Sequence, residues 1–295
     1  MKNILCFILG ISILSIGVMG CNEKKDTVNS MQADIATDSA ASFEDGVNQD
    51  SSNDSYTDLT EIDEELSISS VSSKTSYFDF EKTFDSELKY TIKELAQKIK
   101  EKSAWDMVDA SIDYSYTTVD CGNDNKKEVL ATISYDFAGG YYEVYCVISG
   151  NEGKRKLDFI IDAGQTDEVS IDDKGMVEVS RTVEANDRNY EYGYLDSEGK
   201  YNFKYGKNYY LKASSFDKIS GINESWDDVQ IEEYYFSDDD KLEGRKYCIF
   251  RIDENYKKTD DESLYATDGD YYKAFDNAGL SLVTLKEIEK ILASL

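Results

Sequence analysis

Between Ile112 and Ala213 apolar and polar residues alternate with period two, in short runs broken by polar links. Such alternation puts one set of side chains on each face of a pleated strand. It predicts strands at Ile112–Val119, Glu128–Asp136, Tyr141–Ser149, Lys156–Asp162, Met176–Glu184, Asn189–Asp196 and Tyr201–Ala213, with a further one at Arg245–Asp253. The links GNEGK, DDKG and DSEGK carry the Gly, Asn and Asp that hairpin turns require. Strands joined this tightly pair as antiparallel meanders rather than as βαβ units. Two regions break the pattern. Leu88, Ile92, Leu95 and Ile99 share one helical stripe, with Asp85 or Ser86 as N-cap. Near the end, Asp268–Gly279 reads as a short helix stopped by Gly279, and Thr284 with Glu287 forms a capping-box pair opening a closing helix. The expectation is an α+β fold: a mostly antiparallel β-sheet meander with an N-terminal helix and C-terminal helices.

The first residues follow a different logic. Lys2 precedes an apolar stretch from Ile4 to Met19, and small Gly20 stands before Cys21. That is the layout of an export signal, short for a permanent membrane span. Val18-Met19-Gly20-Cys21 resembles a bacterial lipobox, and the resemblance implies cleavage before Cys21 and lipid on its thiol. From Asn22 to about Ser76 the chain is rich in Ser, Asp, Asn, Thr and Glu. Such a composition buries too little apolar surface to offset ordering, so it reads as a flexible tether spanning roughly 40 Å. The expected organisation is a signal peptide at 1–20, a lipid-anchored acidic tether at 21–76 and a globular domain at 77–295.

Composition narrows the function. The 295 residues hold 60 acids against 32 bases, a net charge of -28. That field repels nucleic acid and favours cationic partners. Histidine is absent, which removes Ser-His-Asp triads, Cys-His pairs and histidine-ligated metals. Proline is absent too, where ordinary usage would give roughly fifteen.

One loop suggests a metal. In Val119–Leu130, VDCGNDNKKEVL, acids and amides fall almost where a hairpin calcium loop places them. Asp120, Asp124 and Glu128 would supply hard oxygen ligands, while Gly122 offers none. Asn125 stands where the loop needs positive φ, which Asn tolerates. The run Ile112–Asp136 resembles the D-x-D-x-D-G-x-x-E hairpin of FG-GAP and VCBS-type repeats, and is similar to hairpins in surface lipoproteins of clostridial bacteria. The resemblance implies extracellular β-structure and not an activity; the loop reads either as a hairpin turn or as a calcium site, so the expected cofactor is none or a weakly bound calcium. Ser86–Lys89 and Ser215–Lys218 match S-x-x-K, but the K-T-G partner of that chemistry is missing. Ser86 reads better as a helix cap.

Cys146 and Cys248 read as small core residues, and a bond between them is conceivable outside a cell. The 23 tyrosines suit half-buried strands, and some of them suit a recognition surface. The expectation is therefore a lipoprotein held at the extracellular face of the cell membrane. Its domain is non-catalytic and binds a glycan, a peptide or an envelope protein. The alternative is a carboxylate-dependent glycan hydrolase. A cleft with two close acids beside aromatics would favour the enzyme; an open tyrosine-lined sheet would favour binding.

Overall fold

The computed structural model describes residues 62–184, 187–222, 228–237, 244–255, 257–259 and 261–295. The signal peptide, Cys21 and the tether up to residue 61 lie outside the described residues. Among those described, the chain is mostly β, with two antiparallel-rich sheets and a few helices.

The first sheet holds β1 (Leu66–Ser67), β2 (Ser72–Lys74), β3 (Lys89–Tyr90), β4 (Ser111–Val119), β5 (Glu128–Phe137), β6 (Gly140–Ser149) and β7 (Lys156–Ala163). Their order is β3-β1-β7-β6-β5-β4, and β2 also pairs β7. The second sheet is a meander in strict chain order. It runs β8 (Glu168–Ile171), β9 (Met176–Glu184), β10 (Asp187–Leu195), β11 (Tyr201–Tyr210), β12 (Gln230–Tyr235), β13 (Lys246–Ile252) and β14 (Lys258–Thr259). The helices are α1 (Phe80–Thr83), α2 (Ile92–Lys102), α3 (Asp270–Asn277) and α4 (Leu285–Leu292).

Alternation decides which face each residue joins. Ala131, Ile133 and Tyr135 of β5 and Tyr142, Val144 and Cys146 of β6 form a core with Ile92, Leu95 and Ile99 of α2. The Tyr135 hydroxyl donates to the Ala96 carbonyl at 2.9 Å, fixing helix to sheet. The opposite face supplies Leu130, Val147, Phe159 and Ile161, which meet Val177, Val179 and Leu195 of the second sheet. At the far end of that sheet Ile231, Tyr247 and Ile249 pack with Tyr271 and Phe275 of α3. Tyr234 and Cys248, on its other face, pack with Ile288 of α4.

Two expectations change. The sequence places residues 62–76 in the tether, but Ile62, Leu66 and Ile68 are buried and β1 and β2 run parallel to β7. Main-chain pairing, which composition does not register, brings this Ser-rich segment into the sheet. The helix cap also moves. Thr91 accepts from the Glu94 N–H, and Glu94 accepts in return from the Thr91 N–H, a full capping box. Asp85 and Ser86 lie outside the helix, and Leu88 is 54% exposed. At the other end α3 stops before Gly279, and Thr284 with Glu287 caps α4 as expected.

Candidate binding surface

On β10 the sequence NYEYGYL sends Tyr190, Tyr192 and Tyr194 to one face and Asn189, Glu191 and Gly193 to the other. On β11 a register shift beside Tyr192/Gly193 sends Tyr205, Lys207 and Tyr209 to the same face as those tyrosines. Without that bulge one half of β11 would point its aromatics the other way. The outcome is a sheet face carrying five tyrosines, half-buried to exposed. Tyr192 and Tyr205 lie 4.5 Å apart with their rings within 19° of parallel. The Lys207 ammonium stands 4.6 Å from the Tyr190 ring centroid. Tyr194 and Met176, 38% and 39% exposed, form the far end. Glu178 stands directly across the strand pair from Tyr192, and the Tyr209 hydroxyl donates to Gln230 at 2.6 Å. The α4 cluster borders the face through Tyr205.

Beside this face β12 carries two consecutive buried acids that point to opposite sides. Glu232 accepts from Lys207 at 2.9 Å, Lys258 at 2.6 Å and the Tyr234 hydroxyl at 2.8 Å. Glu233 accepts from Lys218 at 2.6 Å, Arg245 and the Tyr247 hydroxyl at 2.9 Å, Asn208 at 3.0 Å and Tyr210 at 3.2 Å. Burial alone would raise both carboxyls. For Glu233 the Lys218 ammonium and the Asn208 and Tyr247 donors outweigh it and hold the pKa at about 2. For Glu232 the two lysines likewise win, and its value is lowered. Each is a fixed anion surrounded by donors rather than a proton carrier. Lys218 is thereby committed to Glu233, while the Ser215 hydroxyl donates to the Lys212 carbonyl at 2.8 Å, so Ser215 and Lys218 do not form a dyad.

A cleft of about 400 Å³ lies between Ser72–Ser76 and the second sheet, lined also by Arg181, Glu191 and Tyr201. Glu191, the acid that lines it, is engaged, as are Asp162 and Asp167, which bind its lining residues Ser76 and Arg181. Glu191 pairs with Lys74 and accepts from the Tyr201 hydroxyl at 2.6 Å. Asp162 accepts from the Ser76 and Tyr77 N–H groups and the Tyr142 hydroxyl. Asp167 takes the Tyr77 hydroxyl at 2.8 Å and Arg181 at 3.3 Å. Here too the carboxylates serve to tie segments together.

The loop at 120–128 does the same. Asp120 accepts from the Asp124 and Asn125 N–H groups at 2.9 and 3.1 Å, and Glu128 accepts from the Cys121 N–H at 2.9 Å. Asp124 pairs with Lys126 at 2.8 Å. Asn125 has the positive φ, 65°, that its position suggested. Gly122, at φ 76°, has a further role: a Cβ there would stand 2.4 Å from the Ser197 nitrogen. The Asp120 N–H meanwhile donates to the Asp173 carbonyl at 2.9 Å. The loop is thus wedged against turns of the second sheet, and close packing accounts for the glycine where a ligand would stand. Among the described residues no group of three or more Asp, Glu or Cys side chains is arranged to hold a metal ion.

Cys121, Cys146 and Cys248 are buried, and none of them is in a disulfide. Cys146 lies in the α2-facing core and Cys248 in the α4 cluster of the other sheet, so they are not paired. Of these features, the strand alternation that exposes Tyr190, Tyr192 and Tyr194 is visible in the sequence. The bulge that adds Tyr205 and Tyr209, with Lys204 as its extra residue, is not. No protein-family model, curated protein or solved structure matches this chain.

Proposed function

We propose that the chain is an extracellular lipoprotein, anchored to the cell membrane through lipid on Cys21, whose folded part is a non-catalytic binding module. Residues 21–61 serve as the tether, and the ligand is a glycan, a peptide or an envelope protein. One observation carries the reading: five tyrosines share one sheet face, Tyr194 exposed and the others half-buried, while Glu191, the acid lining the cleft on the opposite face, is taken up by Lys74 and Tyr201. Half-buried tyrosines offer apolar area with a polar tip at low entropic cost, which suits recognition. The acidic chain disfavours nucleic acid as a partner. Screening the full chain against immobilised glycans and envelope proteins tests this. A ligand held by the wild type and lost in Tyr192→Ala and Tyr194→Ala supports it; binding that both variants retain overturns it.

A further inference from the structure

The same face bears on the nature of its ligand, an inference that rests on the reading above. We propose that it takes an extended peptide carrying Lys or Arg at alternate positions. Tyr190, Tyr192 and Tyr194 occupy every second position of β10. At a rise of about 3.4 Å per residue their rings repeat roughly every 7 Å, the interval between same-side residues of any extended peptide. A chain lying along β10 therefore brings one side chain to each tyrosine in turn.

Two of the three rings bear on the choice of a cation. At Tyr190 the protein already seats one, because Lys207 stands over the ring, so that place is filled from within and the ligand's cations fall to Tyr192 and Tyr194. At Tyr192 the ring has exposed Glu178 beside it, so an arriving ammonium or guanidinium meets a π-face and a carboxylate together. The cations nearest the rings do not oppose this. Lys207 is held by Glu232 at 2.9 Å, Lys258 beside them is likewise held by Glu232 at 2.6 Å, and Arg188 lies 3.7 Å from Glu168. Over longer range the net charge of -28 attracts basic ligands. A neutral sugar gains nothing from that charge.

An acidic protein attracts any polycation, so the test must hold charge constant. Anisotropy is measured for the full chain with a labelled heptapeptide alternating lysine and serine. A peptide of the same composition with its lysines contiguous is the control. The alternating peptide should bind more tightly, and Tyr192→Ala should weaken it roughly five- to tenfold while Tyr192→Phe does not. Tyr194→Ala, at a more exposed position, should weaken it as well and serves if Tyr192→Ala does not fold. Equal binding of both peptides, unchanged in the tyrosine variants, overturns the inference as nonspecific attraction. A third arm uses chitohexaose. If that sugar binds and depends on Tyr192 while the peptides do not, the peptide inference falls and the face stands as a binding surface. If no probe depends on the tyrosines, both fall.

Discussion

Replacing Glu233 with glutamine keeps the shape of the side chain and removes the charge that Lys218 and Arg245 face. The carboxyl sits at about 2 rather than its ordinary 4.5. At about 1.4 kcal/mol for each pH unit, that difference amounts to roughly 3 kcal/mol favouring the ionised form in the fold. Glutamine also turns an amide toward donors such as Asn208 and Tyr210, leaving buried groups poorly paired. Urea unfolding of Glu233→Gln at pH 7 should show a loss of about 3 kcal/mol. For a protein of this size that corresponds to a drop of roughly 6 to 12 °C in Tm. The pH dependence has a definite sign. The folded value lies below the unfolded one, so the stabilisation is complete above about pH 4.5 and fades as pH falls toward 2. Glutamine does not titrate, so the gap between wild type and variant should close across that window. A loss under about 1 kcal/mol, or a gap that stays constant down to pH 2.5, refutes the argument.

Four further outcomes are expected. Gly122→Ala should destabilise the fold by about 2 kcal/mol or more, since it strains a positive φ and drives a Cβ into Ser197; an unchanged melting point would contradict the wedge. Calcium should alter melting only slightly, and equally in wild type and Asp124→Asn, because Asp120 and Glu128 already accept main-chain donors; a saturable shift lost in the variant would restore the metal reading. Cys146, whose thiol burial pushes up to about 12, should react together with Cys121 and Cys248 only after denaturation and without a reductant; reaction in the native state would show these thiols to be accessible. Cys21→Ala should abolish labelling by a palmitate analogue, and undiminished labelling would rule out the anchor.

Sequence patterning reached the long strands because their two faces differ: β4, β5, β6, β9 and β10 each alternate in plain view. It missed β12, where Glu232 and Glu233 stand side by side and are buried on both faces. Nothing in a single chain shows that four distant cations, Lys207, Lys258, Lys218 and Arg245, will neutralise them. It missed β1 and β2 because strands of two or three residues rich in serine have no periodicity to read. The α2 boundary was within reach, since Thr91 and Glu94 spell a capping box, but Leu88 extended the apolar stripe past the true start. At the 120–128 loop the sequence held the right turn chemistry, and Asn125 adopts the φ it implies. What it could not hold was Ser197, the neighbour that explains Gly122.

The parallel pairing of β1 and β2 with β7 also fixes an order in time. Residues 62–76 are synthesised before the rest of the fold, yet their partners come much later: Ser76 bonds to Asp162 across 86 positions, and Lys74 to Glu191 across 117. Closing a loop of that length costs about 4 kcal/mol of chain entropy before any contact is gained. The hairpins β4–β5 and β5–β6 need no such wait. The first stretch of the folded part is thus made early and locked only once Asp162 and Glu191 have followed. Until β7 is in place, Ile62, Leu66 and Ile68 have no complete core to enter. A nascent chain halted short of Asp162 would present those residues to chaperones and proteases, so this stretch is where quality control can tell an unfinished molecule from a finished one.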